Sequence, residues 1–162
     1  MIYLDYQATT PLAPEALEAM MPWLGGPESV KVFGGFANPH SPHRPGRAAA
    51  AAVEVAREQV AALLPPGGRV IFTSGATEAI NLAILGSGAS RLAVSAIEHA
   101  AVLDTARFID PDCAVLPADS AGLVSAAVTI PEATDLVAVM QVNNEIGTVQ
   151  PVGELVVRAR ST

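Results

Sequence analysis

The spacing of apolar positions changes period several times along the chain, and each change marks an element. Leu17, Met20, Met21 and Leu24 recur at helical intervals behind Pro14, whose missing N–H suits a first helical position. Arg47 to Leu64 is alanine-rich with Val53, Ala56, Val60, Leu63 and Leu64 on one face, and predicts a helix that Pro65-Pro66-Gly67-Gly68 ends. Val70-Ile71-Phe72-Thr73 is a β-favouring run that turns at Ser74-Gly75 and enters a helix start at Ala76-Thr77-Glu78-Ala79-Ile80. Gly86 and Gly88 stop that helix, and Leu92 to Ile97 reads as a second, buried strand. A helix ending near Ile109, a third strand over Cys113 to Leu116, a fourth over Leu136 to Val142 and a last helix over Val152 to Arg160 complete the pattern.

The stretches between these elements are equally informative. Residues 1–13 form an N-terminal arm, with a weakly alternating extended piece, Ile2 to Tyr6, that Gln7-Ala8-Thr9-Thr10-Pro11 breaks. From Gly25 to Gly46 the chain is rich in glycine, proline, asparagine and histidine, which predicts a long loop of a functional or mobile kind. Pro117 to Thr134 has no clear period and predicts at most a short helix around Ser125 to Ile130. Strands separated by helices imply right-handed crossovers, hence an α/β fold with a mainly parallel sheet.

In such sheets ligands bind beyond the carboxyl ends of the strands, where three polar groups fall: Ser74 to Thr77, Glu98-His99 and Asn143-Asn144-Glu145. A helix start carries unpaired N–H groups and partial positive charge. Gly75 and Ala76 leave room there for an anion, and the hydroxyls of Ser74 and Thr77 could add hydrogen bonds to a phosphate. Each group also has a plainer reading. The turn at Ser74-Gly75 could be an ordinary connection with small residues for packing, for no lysine follows the glycine as in a Walker-type loop. His99 could be a helix-start residue satisfied by backbone, and Asn143-Asn144 could be turn formers. Together the three groups favour a ligand site.

Composition narrows the ligand. At 162 residues the chain is one domain or a piece of one. Apolar residues make up 51% and charged residues 15%, so much of the surface is expected to be covered by a partner or by further sequence. The net charge of −7 argues against nucleic acid or an anionic membrane as partner. An anionic ligand must then be held by local dipoles and a few arginines. The single cysteine, Cys113, excludes an internal disulfide framework and a multi-cysteine metal site, and no metal is expected. With no leader pattern at the N-terminus, the cytoplasm is the expected location.

Five segments carry a family resemblance: YLDYQATTP (Tyr3 to Pro11), NPHSPHRPG (Asn38 to Gly46), FTSGATEAINLAI (Phe72 to Ile84), EHAAVLDT (Glu98 to Thr105) and VNNEIGTVQPV (Val142 to Val152). In order and over nearly the whole chain, they resemble the N-terminal part of a pyridoxal-phosphate-dependent cysteine desulfurase of the class V aminotransferase family. The Asn-Asn-Glu-Ile-Gly form is similar to the branch serving general iron–sulfur cluster assembly and tRNA thiolation. The resemblance implies the N-terminal part of the large domain of a fold-type I transferase, with residues 1–162 one incomplete domain. It also implies pyridoxal phosphate as cofactor, L-cysteine as substrate and sulfur acceptor proteins as partners. Sulfur would leave L-cysteine as a persulfide on the enzyme, with release of alanine. By the same resemblance Ala76 and Thr77 face the cofactor phosphate, and Gly75, which leaves room there, is expected to bind the cofactor with them. His99 stacks on the ring and takes part in proton transfer, and Asn144 lies near the phenolic oxygen and substrate carboxylate. A flat imidazole that exchanges protons near neutrality suits such a place. Asn38, His43 and Gly46 fall in the family's active-site loop, with no role assigned.

Some of the family's parts have no counterpart here. Lys31 is the only lysine and lies in the glycine-rich loop, not in a Ser-x-His-Lys motif. That motif, the aspartate that meets the ring nitrogen and the persulfide cysteine are expected after Thr162. Cys113 is expected to be a small buried hydrophobe. A parallel sheet cut at this point would expose edges and apolar surface, so pairing with a C-terminal portion or self-association to a dimer is expected. Alone, the chain is expected to be inactive. The alternatives are a non-catalytic binding or regulatory fragment, or another class V enzyme such as a selenocysteine lyase or an aminotransferase.

Overall fold

The computed structural model describes residues 2–25 and 37–161, which fall into two units divided between Phe72 and Thr73. In the first unit Pro14 opens helix α1 (Pro14–Met20), and a 3-10 turn over Met21–Trp23 follows it. Residues 26–36 of the predicted long loop, Lys31 among them, lie outside the described residues. Helix α2 (Arg44–Ala61) begins earlier than its apolar face suggests, because His43 caps it: the imidazole Nδ1 accepts the Gly46 N–H at 3.1 Å. Just before it, the Asn38 side chain accepts the His40 N–H at 2.9 Å and the Asn38 carbonyl accepts the Ser41 N–H at 3.0 Å. The turn so formed lies against the helix start. A Cβ on Gly46 would stand 2.3 Å from the Ser41 carbonyl oxygen and 2.7 Å from that of Asn38. Asn38, His43 and Gly46 therefore build a helix entry.

The strand expected over Val70 to Thr73 does not form, and its residues show why. β-Favouring side chains make a strand only where a neighbouring strand takes up the backbone groups. Here the Val70 carbonyl accepts from the Arg57 guanidinium of α2, which also lies 5.0 Å over the Phe72 ring. Ile71 and Phe72 remain exposed.

The second unit holds the sheet. Helix α3 (Ala76–Gly86) leads to β1 (Leu92–Ser95), then α4 (Ala100–Ile109), β2 (Ala114–Leu116), β3 (Leu136–Ala138) and α5 (Val152–Ala159). Both pairings are parallel, as the α/β expectation requires, and the order is β2-β1-β3. All of β1 is buried because its faces serve different cores. Leu92 and Val94 pack with Ile84, Val102 and Ala106 of the helices, whereas Ala93 packs with Leu116, Val124, Val128, Ile130 and Leu155. Val128 and Ile130 reach that core from irregular chain, without the short helix expected over Ser125 to Ile130: a turn closed by Val128 N–H on the Ser125 carbonyl stands there instead. The fourth predicted strand stops at Ala138, not Val142, since Met140 N–H turns to the Glu98 carboxylate and Val142 pairs antiparallel with Val149.

Aspartates fasten the start of the sheet. One Asp135 oxygen accepts from Ser90 N–H, Ser90 Oγ and Arg91 N–H, each at 2.9 Å. Those bonds hold its carboxyl below the usual carboxylate range. Asp110, which follows α4, accepts the Leu92 N–H at 2.9 Å. Among the described residues no helix is long and apolar enough to cross a membrane, and no group of His, Cys, Asp and Glu could hold a metal ion.

Candidate active site

The direction of the helices decides where the predicted site residues lie. Helix α3 feeds the beginning of β1 through a short turn, and α4 returns to that same end through Asp110. Both helices therefore run against β1, and their N-termini lie toward the end where β1 and β3 finish. They pack on each other, joined by Thr105 Oγ1 donating to Asn81 Oδ1 at 2.7 Å. Asn81 in turn donates to the Thr77 carbonyl at 2.8 Å. Thr77, Asn81, Ala101, Asp104, Thr105 and Phe108 line a depression of about 300 Å³ between α3 and α4.

At α3 the helix start is open. Gly75 is its N-cap in an extended conformation, no side chain caps it, and a Cβ at Gly75 would meet nothing within 4 Å. The first intrahelical bond is Ala79 N–H to the Gly75 carbonyl at 3.1 Å, so the N–H groups of Ala76 and Thr77 precede the ladder. Gly75, Ala76 and Thr77 are all exposed. The sequence reading passed over Glu78, whose carboxylate reaches back to accept the Ser74 N–H at 2.5 Å. The bonds from Ser74 hold its carboxyl below the ordinary range. A glutamate three residues after an N-cap was the available signal.

His99 bears out its plainer reading as a helix-start residue. It caps α4, its Nδ1 accepting the Ala101 N–H at 3.1 Å, and it is exposed. With Nδ1 an acceptor, a neutral ring carries its proton on Nε2, the nitrogen left for a ligand. The turn-former reading holds for Asn143. Asn143 is buried and builds the turn, its Oδ1 accepting the N–H groups of Glu145 at 2.9 Å and Ile146 at 3.0 Å. Asn144 is exposed, with its amide 2.9 Å from a Glu145 carboxylate oxygen. Part-buried bonds from Asn143 to the Ile97 carbonyl, 2.9 Å, and from Met140 N–H to Glu98, 2.6 Å, tie the Asn144 loop to the His99 loop.

The matching family model is that of aminotransferase class V, over residues 2–162. The chain belongs to that family. Its members use pyridoxal phosphate. The chain is 42% identical over 168 residues to a cysteine desulfurase of Mus musculus, covering 95% of this chain and 35% of that protein. To the cysteine desulfurase IscS of Rickettsia akari it is 42% identical over 175 residues, covering 98% and 41%. Among solved structures, a NifS-like protein superposes with a TM-score of 0.80 at 32% identity, over 99% of this chain and 45% of that one. DndA from Streptomyces lividans gives 0.70 at 34% identity, over 99% and 47%. The fold is that of the N-terminal part of the large domain, and the chain spans between a third and half of these relatives' length.

The residues at the rim fit this cofactor at its phosphate and ring. An uncapped, uncrowded helix start suits a dianion, and an exposed imidazole and amide suit a flat polar ring. Covalent attachment is another matter, because the described residues include no lysine. Cys113 is half-buried against the helix-side core. Burial pushes its thiol up, the Asp110 charge adds to this and Arg107 opposes it, which makes it a poor nucleophile.

Proposed function

We infer that this chain is the N-terminal portion of a cysteine desulfurase that takes sulfur from L-cysteine as an enzyme persulfide, releases alanine and serves iron–sulfur cluster or thiolation pathways. The single observation behind the site is the open α3 start at Gly75 to Thr77, set at the rim that carries His99 and Asn144. The names of the relatives support the reaction. Pyridoxal phosphate, when bound, withdraws electrons from the carbon to be activated. For its part the chain binds phosphate through Ala76 and Thr77, covers the ring with His99 and moves a proton at His99 Nε2. The Asn144 amide orients the ring oxygen or the substrate carboxylate. Since the only lysine is Lys31, attachment and the persulfide step fall to a C-terminal portion, and the chain alone is inactive. Pairing with that portion, or self-association to a dimer, covers apolar residues such as Ile71, Phe72 and Phe108. The lone thiol accords with a cytoplasmic setting.

Titration of the purified chain with pyridoxal phosphate, followed by absorbance, tests this reading. Reversible binding is expected, with no cofactor retained on Lys31 after borohydride reduction. Joined to a C-terminal portion, the chain should release alanine from L-cysteine. No binding at millimolar cofactor, or a stable adduct on Lys31, would remove the assignment.

A further inference from the structure

The bonds between the two loops of the rim carry an inference of their own. Glu98 and Asn143 are buried polar side chains, and each is the chain neighbour of an exposed rim residue, His99 or Asn144. Glu98 belongs to the loop after β1, yet its Oε1 accepts both the Ser95 hydroxyl of its own strand and the Met140 N–H of the segment after β3, each at 2.6 Å. Asn143 answers from the other side. Its amide donates to the Ile97 carbonyl at 2.9 Å and contacts Met140 Sδ at 3.2 Å, while its oxygen closes the turn that carries Asn144. A buried polar group that loses its partner suffers the full desolvation penalty, so these bonds fix the spacing of the loops.

We propose that Glu98 and Asn143 are positioning residues, a buried cross-tie that sets the His99 imidazole and the Asn144 amide relative to each other. The proposal rests on the reading that these two side chains face the cofactor. It separates the chemistry into two layers: exposed groups meet the ligand, and buried neighbours hold them in register. It also says which atoms matter. Both bonds to Glu98 end on one oxygen, so an amide oxygen in its place can accept both. Asp at position 143 would keep the acceptor for Glu145 and Ile146 but set a carboxylate oxygen against the Ile97 carbonyl. That substitution breaks the tie and spares the turn.

The test uses the labelled chain with E98A, E98Q and N143D. It reads the His99 Cε1–H and Asn144 side-chain resonances, exchange of the Met140 amide, and affinity for pyridoxal phosphate. In E98A the Asn144 amide should shift, the Met140 N–H should lose protection, and affinity should fall about tenfold or more, the scale found where groups orient metal ligands from behind. E98Q should restore affinity to within about threefold, since it keeps both acceptor bonds. N143D should move the His99 resonance, although the substituted residue lies in the other loop. A local structural role would leave it in place. Unmoved His99 in N143D together with unmoved Asn144 in E98A overturns the proposal. So does an unprotected Met140 amide in the wild-type chain, which decides the matter even if E98A fails to fold. If the wild type binds no cofactor, the functional reading falls while the resonances still test the tie.

Discussion

The two units use similar apolar content in opposite ways. In residues 73–161 the apolar positions of β1 go to two cores, and Ala93, Val94 and Leu116 are almost wholly buried. In residues 2–72 helices α1 and α2 have equally regular apolar faces, yet among the described helical residues only Gly46 and Ala49 of α2 are buried. Met20, Trp23, Val53 and Ala56 instead line an open depression of about 630 Å³ within that unit. A periodic apolar face thus predicts a helix without saying that the helix finds its partner. Burial needs a second layer, and the described part of the first unit has none comparable to the sheet.

Removing core volume from the second unit should have the largest effect. Leu116→Ala should cost about 2–5 kcal/mol, read as a lower urea midpoint for amide protection in β1. Trp23 is the only tryptophan and reports on the first unit. If its emission shifts at the same midpoint in that variant, the two units melt together and the contrast is wrong. Gly46→Ala should come next, about 1–3 kcal/mol by overpacking against the Asn38–Ser41 turn, with lost helicity near α2's start in carbon chemical shifts. Val53→Ala should cost less than ~1 kcal/mol in a Trp23 melt, because the side chain is already 38% exposed. A larger loss would mean that the first unit has a core after all.

The smallest expected effect depends on pH. The folded state lowers the Asp135 pKa, so this carboxylate adds stability above its unfolded pKa of ~3.9, and that contribution is lost as pH falls through the lower, folded value. Asp135→Asn should flatten the acid limb of stability in the second unit and leave the Trp23 transition unchanged. An acid limb of unchanged slope would dismiss the clamp on Ser90 and Arg91 as a pH-dependent support.

The fold was legible where local pattern and burial agree. Leu92 to Ser95, the helices on either side and the parallel order follow from a continuous apolar run between amphipathic stretches. Val70 to Thr73 misled because propensity does not reveal whether a neighbouring strand exists, and here Arg57 claims the Val70 carbonyl. Val124, Val128 and Ile130 were hidden for the converse reason, being core residues on irregular chain without a period to detect. In the candidate site, residue type and place pointed to the groups Ser74 to Thr77, Glu98-His99 and Asn143 to Glu145, and the family resemblance singled out Thr77, His99 and Asn144 within them. Their buried supports could not be read in this way, because Glu98 to Met140 and Asn143 to Ile97 are contacts between segments more than forty residues apart.

The central claim is that one rim gathers the starts of α3 and α4 and the Asn144 turn around a single phosphorylated ring. Titrating isotope-labelled chain with pyridoxal phosphate, while following the Ala76 and Thr77 amides, the His99 ring and the Asn144 side chain, measures this directly. The account predicts that all of them shift along one saturation curve. Shifts confined to one loop, or curves with different midpoints, would contradict it.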